Sequence, residues 1–571
     1  MILHTIKTEV VAALRALSVK NPAAVFEHPA ELAHGDYSTN AALVHAKELK
    51  LKPREVAEKI VAILEKRIPK EIEKVEVAGA GFINFYLSKE FFAEELKKVD
   101  SDFGKNKSLV GKKVMVEYSD LNPFMEFHIG HLMSNAIGES IARLLEFQGA
   151  ETRRACYQGD VGLHVAKALF GYLQGEKQWG LAYANGNAAY ERETDAKKEI
   201  EEINKKIYSR ADVKTNKIYD FGKASSLKSF DLIYKTLGTK FDFFFFESET
   251  GEFGKKIVAE FLKKGVFEKS EGAIIFKGEN HGLHTRVFIN KEGLPTYEAK
   301  EIALPKIKHD KYPYDVSVIL TGNEVNDYFR VLLCALGIIS PELAKKTKHL
   351  SHGMLRLPSG KMSSRTGTVI TAESLIGQVK EMVRAKLRER EMAESEKEKV
   401  AEVVAIGAIK YSILRQAIGG DIIFDLEHSI SFEGDSGPYL QYSYVRANSV
   451  LAKAGASQDN ILKSPRVAAS LHESRSTRHF QDVSRSAPTI LERLLSRFPE
   501  VVGRAGAEYA PHYITTYLTE LAGTFNSWYA NEQIVDQADP TSPYKVALTS
   551  AFSIVMRNGL WLLGIKVPEK M

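Results

Sequence analysis

The stretch Lys112-Lys113-Val114-Met115-Val116-Glu117-Tyr118-Ser119-Asp120-Leu121-Asn122-Pro123-Phe124-Met125-Glu126-Phe127-His128-Ile129-Gly130-His131 decides the fold. It opens with a short run rich in Val and Tyr, which reads as a buried strand. Asn122-Pro123 then marks a turn, because proline biases the residue before it away from helix. The pattern that follows predicts a helix over about 130–147, closed by Gly149, and Glu151-Thr152-Arg153-Arg154-Ala155-Cys156-Tyr157-Gln158-Gly159-Asp160 reads as a second strand. Strand, helix and strand at this spacing signal a doubly wound parallel sheet of the α/β class.

Working outward, residues 190–240 are rich in Lys and Glu at helical period and read as an arm within a helical insertion of about 170–280. Further strands are expected at 272–278, 286–290 and 314–322, the last a buried run ending in glycine. Before the sheet, helical patterns at 6–18, 38–50 and 54–67 and β-like segments at 75–87 describe a small α+β module, and beyond about 375 the chain turns helical. The expected domains are thus 1–105, 106–375 and 376–571.

The 571-residue length exceeds one ordinary core, and 44% hydrophobic with 26% charged residues is the composition of a globular protein. No apolar run approaches the roughly 20 residues that span a bilayer. The first residues read as an amphipathic helix rather than a secretion signal, so a cytoplasmic address is expected. Cys156 and Cys334 are the only cysteines, which excludes a disulfide framework and a four-Cys zinc site. The net charge of +5 permits an anionic partner without reaching the footprint of a dedicated nucleic-acid module.

His128 and His131 stand where a strand turns into a helix, the place where open α/β sheets bind ligands and helix N-termini offer free N–H groups to phosphate. Two imidazoles there can donate hydrogen bonds to phosphates as charge builds, and Gly130 lets a purine approach the backbone. A zinc pair is the competing reading, but no third ligand stands nearby. Gly360-Lys361-Met362-Ser363-Ser364-Arg365-Thr366-Gly367 is a basic, hydroxyl-rich loop of the kind that wraps a triphosphate, with a solvated surface turn as its alternative.

These two motifs, in this order and with His131 and Lys361 230 residues apart, resemble the His-Ile-Gly-His and Lys-Met-Ser-Lys-Ser signatures of class I aminoacyl-tRNA synthetases. Glu117 to Pro123, Phe241-Asp242 through Glu247-Ser248, Gly293-Leu294-Pro295-Thr296-Tyr297, and Gly437-Pro438-Tyr439-Leu440-Gln441-Tyr442 are similar to segments of arginyl-tRNA synthetases. Gly35-Asp36-Tyr37-Ser38-Thr39-Asn40 and Gly81-Phe82-Ile83-Asn84-Phe85 resemble that family's additional N-terminal domain.

The resemblance implies a Rossmann-like catalytic domain, an N-terminal domain that touches the tRNA elbow and a helical anticodon-binding domain. It implies a monomer that joins L-arginine to tRNA(Arg) with ATP and Mg2+, with no metal held by the protein. Catalysis then falls to His128, His131, Lys361, Ser363 and Arg365. The nucleotide falls to Phe127, Gly130, Gly322, Glu324, Gly353, Met354, Leu355, Lys361 and Met362. For arginine it implies Glu117, Ser119, Asp120, Asn122, His131, Glu247, Tyr297, Glu301 and Glu324; a guanidinium suits carboxylates and an aromatic face. Asn84, exposed Tyr439, Tyr442 and Tyr529, and Met571 fall to the tRNA, tyrosines being natural platforms for splayed bases.

Two residues depart from the pattern. Ser364 stands where the signature has its second lysine, and Met125 stands where relatives lacking that lysine carry a compensating one. Arg365, Lys361 or a lysine elsewhere in the chain is left to supply the charge. The rival readings are a synthetase for another amino acid, a catalytically silent RNA-binding paralogue, and a small-molecule nucleotidyltransferase.

Overall fold

Residues Lys113–Glu117 form the middle strand of a five-stranded parallel sheet whose spatial order is Thr347–His352, Val316–Gly322, Lys113–Glu117, Glu151–Gln158, Phe243–Phe246. Parallel sheets are covered on both faces, which is why Val114, Met115, Val116, Val318, Ile319 and Leu320 are all buried. The chain builds outward from the middle strand through 151–158 to 243–246, then returns to the other side with 316–322 and 347–352. Strand order therefore reverses beside the middle strand, and the carboxyl ends of Lys113–Glu117 and Val316–Gly322 are the place where open α/β sheets take their ligands. The helix Ile129–Phe147 starts at this reversal. His128 caps it: its Nδ1 accepts the Gly130 N–H at 3.1 Å, while His131 Nδ1 accepts the His128 N–H at 3.3 Å. This reciprocal capping fixes where the helix begins.

The structure is a computed structural model and describes residues 2–356, 370–455 and 489–571. The chain forms two compact units, one of residues 1–103, 447–498 and 524–555, the other of 104–446, 499–523 and 556–571. In the first, an antiparallel sheet of spatial order Phe26–Glu27, Tyr37–Thr39, Phe82–Leu87, Ile72–Ala78 packs with the helices Ile2–Ala16, Ala41–Leu49 and Pro53–Leu64. The expected helix at 38–50 starts later, at Ala41, because Tyr37–Thr39 pairs with Ile83–Phe85 as a strand. Asp36 ties this unit together, accepting the Leu87 N–H at 2.8 Å and pairing with the Arg493 guanidinium.

In the second unit the helices Trp179–Arg192, Thr194–Ser209 and Val213–Leu237 form the expected arm. The insertion of about 170–280 is not wholly helical, however. Phe243–Phe246 within it is the edge strand of the parallel sheet, with Gln158 paired to Phe246. Four successive phenylalanines show no alternation, so the run carries no strand period to read. Glu268–Ser270, Ala273–Phe276 and Arg286–Ile289 are strands, two of them as expected, but they form a separate antiparallel sheet. The helices Glu247–Lys263 and Tyr297–Lys311 meet backbone to backbone, since a side chain at Gly254 would come within 1.8 Å of the Ala299 carbonyl oxygen.

Helices Ala372–Lys386, Glu394–Leu414, Gly437–Lys453, Ile490–Ala507, His512–Asn531 and Ser542–Leu562 agree with the helical reading of the C-terminal part. The end of the last helix and the tail after it are anchored within the second unit. Trp561, Leu562, Gly564 and Lys566 offer carbonyls to Arg143, Ser140, Lys410 and Gln441 at 2.9, 2.8, 2.7 and 2.6 Å respectively.

Candidate active site

The two histidines stack with ring centres 3.7 Å apart and planes at 18°. Burial pushes the His128 pKa down to about 4, and burial with the neighbouring His128 and His352 holds His131 well below the ordinary value. Both rings are therefore neutral near pH 7. Because each Nδ1 accepts a backbone N–H, the proton of each resides on Nε2, leaving two unused N–H donors. Ile129 N–H donates to Ile370 O at 3.3 Å and Ala372 N–H to Phe127 O at 2.7 Å, so the segment just beyond the lysine motif lies against the histidine motif. Lys361, Met362, Ser363 and Arg365 lie outside the described residues.

His352, buried at the end of its strand, donates through Nδ1–H to the Gly353 carbonyl at 2.7 Å, and the Glu324 carboxylate partly offsets the burial that lowers its pKa. Glu324 folds over Gly322, where a side chain would meet its carboxylate at 2.2 Å. Met354 is exposed. Four of the nucleotide expectations change. Phe127 is buried edge-on to His131, so only its backbone lies at the site. Gly130 is held by the His128 ring, 3.0 Å from where a side chain would begin, and Gly353 by the Gly420 backbone at 2.2 Å, so packing accounts for both glycines. Leu355 is buried in the core.

On the other side of the middle strand, carboxyl groups converge. A side chain at Gly159 would meet Asn122 Oδ1 at 2.5 Å and the Glu247 carboxyl carbon at 3.4 Å, and the Gly159 N–H donates to that Asn122 oxygen at 2.8 Å. Burial first, and then the charge of Glu117, hold the pKa of both Asp120 and Glu301 well above the usual carboxylate range. Tyr297 is 56% exposed, and its hydroxyl lies 3.5 Å from His164 Nδ1. Ser119 Oγ accepts the Asn135 amide at 2.9 Å, which leaves its own O–H free to donate.

Glu117, expected beside Asn122 in the arginine site, and Glu247, expected to meet the guanidinium, are each already paired with a lysine. Lys308 Nζ lies 2.9 Å from Glu117, with both side chains 1% exposed. Lys300 Nζ lies 2.6 Å from Glu247, at 3% and 6% exposure. Sequence reasoning missed both lysines. The available signal was helical spacing, since Tyr297, Glu301, Leu304 and Lys308 share one face of a single helix.

The loop that carries these groups is strained. Ser119, Asp120 and Phe124 adopt φ of 75°, 45° and 71°, each costing on the order of 1–3 kcal/mol that surrounding contacts must offset. The arm supplies such contacts. Ser226 Oγ accepts the Phe124 N–H at 3.0 Å. Buried Asp160 accepts from the Tyr219 hydroxyl at 2.9 Å, Lys223 at 2.7 Å, and the Ser248 N–H and O–H at 2.8 and 2.6 Å.

Of the residues expected at tRNA, Asn84 is only 3% exposed and accepts the Ser38 hydroxyl at 2.8 Å, so its side chain braces the sheet rather than facing a partner. Tyr439 and Tyr442 are half-buried rather than exposed, because both lie on the packed helix Gly437–Lys453. The Arg446 guanidinium lies 4.6 Å from the Tyr442 ring centre and donates to its hydroxyl. Tyr529 is exposed at 37%, and Met571 is half-buried.

Family models match three stretches. Residues 96–426 match the class I (R) tRNA synthetase catalytic domain, 4–87 the arginyl tRNA synthetase N-terminal domain, and 440–571 the DALR anticodon-binding domain. An arginine–tRNA ligase of Fusobacterium nucleatum is 31% identical, with 94% of this chain and 93% of that protein aligned. One from Pyrococcus abyssi is 28% identical, with 94% of each covered. Among solved structures, the arginyl-tRNA synthetase of Thermus thermophilus superposes with a TM-score of 0.80 at 23% identity, over 100% of both chains, which establishes the fold. With its catalytic-domain model spanning more than half of the sequence and a relative aligned along nearly all of it, the chain belongs to the class I arginyl-tRNA synthetase family.

Proposed function

We propose that the chain joins L-arginine to the 3′-terminal adenosine of tRNA(Arg) at the expense of ATP, as a cytoplasmic monomer. The observation that carries this reading is the set of groups gathered at the strand-order reversal. On one side lie two neutral imidazoles with free Nε2–H donors, against the segment that follows the lysine motif; on the other lies a buried cluster of carboxyl groups. The arginine carboxylate attacks the α-phosphorus of ATP, and pyrophosphate leaves. A ribose hydroxyl of the tRNA end then attacks the arginyl carbonyl, and AMP leaves. No side chain forms a bond in either step, so the protein acts by positioning and by stabilising charge.

His128 and His131 donate to the phosphate oxygens as negative charge grows on them, and Lys361 with Ser363 and Arg365 neutralises the departing pyrophosphate. Glu324, Gly322 and Met354 line the nucleotide. Glu301 takes the guanidinium across the face of Tyr297, while Asn122, Asp120 and Ser119 orient the amino-acid head. Magnesium would arrive with the nucleotide and would help neutralise its phosphate charge. Tyr529 and Met571 are assigned to the tRNA, within an anticodon-binding domain from about 376, with 1–105 on the tRNA elbow.

Aminoacylation with each of the twenty amino acids and total tRNA tests the reading. Arginine alone should be charged; no charging, or charging with another amino acid, overturns it. Lys361→Ala should lower adenylate formation at least about tenfold, equivalent to about 1.4 kcal/mol, and unchanged pyrophosphate exchange would remove Lys361 from the mechanism. Activation should require bound tRNA; brisk exchange in its absence would contradict this.

A further inference from the structure

A site for a cationic side chain already holds a cation. The Lys300 stem rises from the helix Tyr297–Lys311, and its ammonium pairs with Glu247, the first residue of the facing helix. That ammonium lies 5.1 Å from the ring centre of Tyr297 and 5.7 Å from that of Tyr208. Burial works against its charge, but Glu247 and Tyr208 outweigh burial and keep Lys300 protonated. A carboxylate and two aromatic rings around an ammonium form the environment that the tip of free lysine or ornithine would seek.

We propose that Lys300 is a specificity-determining residue, a resident ammonium that denies Glu247 to amino acids ending in a compact ammonium and leaves the site to a guanidinium. The inference rests on reading this cavity as the arginine site. An incoming ammonium has two options. It displaces Lys300 like for like, which leaves Lys300 buried without its partner, or it sits beside Lys300 as a like charge in a poorly solvated cavity. A guanidinium needs neither. It is planar and weakly hydrated, its fork can pair with Glu301, and its face can lie on Tyr297, all without claiming the oxygen that Lys300 holds.

The experiment compares kcat/KM for arginine with that for lysine and ornithine in charging tRNA that accepts arginine. In Lys300→Met, Glu247 is bared, and the preference for arginine should fall at least about tenfold. In Lys300→Arg the cation is retained and the preference should persist. A purely structural loss would lower all three substrates together, so an unchanged ratio in Lys300→Met, or equal losses in both variants, overturns the proposal. Glu247→Gln tests the pair from the other side. Its unpaired ammonium should raise KM for arginine at least about tenfold without improving lysine, and a KM within about twofold of the unaltered protein also overturns it. If the unaltered protein charges no arginine, the functional reading fails first and separately.

Discussion

Glu301 and Asp120 are buried carboxyl groups whose proposed place in the arginine site makes binding depend on pH. Glu301 faces Glu117, Asp120 and Glu247 together with Lys308, Tyr157 and Tyr328, and burial with the Glu117 charge keeps it protonated above the usual carboxylate range. A guanidinium stabilises the carboxylate and lowers that pKa, so the complex binds fewer protons than the free protein. Arginine affinity should therefore rise as pH increases through the raised range. Titration calorimetry at several pH values above the usual carboxylate range, each in two buffers of different ionisation heat, should detect proton release, and Glu301→Gln should reduce it; zero release at every pH in the unaltered protein contradicts the assignment. That His128, His131 and Asn122 fall together after the middle strand was legible in the sequence because one contiguous stretch carries them. The pairing of Glu117 with Lys308 was not, because the partners meet only after the chain has crossed the sheet several times.

Among elements, the strands at 113–117, 151–158 and 316–322 were legible because buried parallel strands read as apolar runs bounded by turns. The arm had no readable role, since its contacts with Phe124 and Asp160 depend on tertiary placement. Lys410, on the helix Glu394–Leu414, shows what such placement does. It donates to Leu237 O and Gly564 O at 2.7 Å each, so the ends of two other segments close on one ammonium. Lys410→Met leaves two buried carbonyls without a donor and should cost about 2 kcal/mol or more in chemical denaturation. Burial also lowers the Lys410 pKa from 10.5 to about 7. Across that window the unfolded chain binds the extra proton, so this residue's contribution makes stability rise with pH. Denaturation midpoints measured from pH 7 to 10 should show a shallower rise in the variant.

At the scale of the whole molecule, the sequence motifs identified the family, while the role of the tail appears only in three dimensions. Trp561, Leu562, Gly564 and Lys566 provide four acceptors to groups beside the histidine helix and its neighbours, which makes the tail part of the catalytic unit. Deleting 567–571 keeps all four contacts. It should leave the melting temperature unchanged and raise KM for tRNA, and an unaltered KM would remove Met571 from the tRNA contacts. Deleting 561–571 orphans the buried donors and should lower the melting temperature sharply.

The helix pair pressed together at Gly254 sets the separation between the chain segments that bear Glu247 and those that bear Lys300 and Glu301. Two turns along from Glu247, this glycine acts as the stop on a caliper. Any added carbon there forces the jaws open and changes the fit for every amino acid at once. With Glu247 and Glu301 in the proposed roles, selectivity should respond to a substitution at a position that no substrate reaches, and a search for altered preference confined to the residues proposed to touch arginine would overlook it.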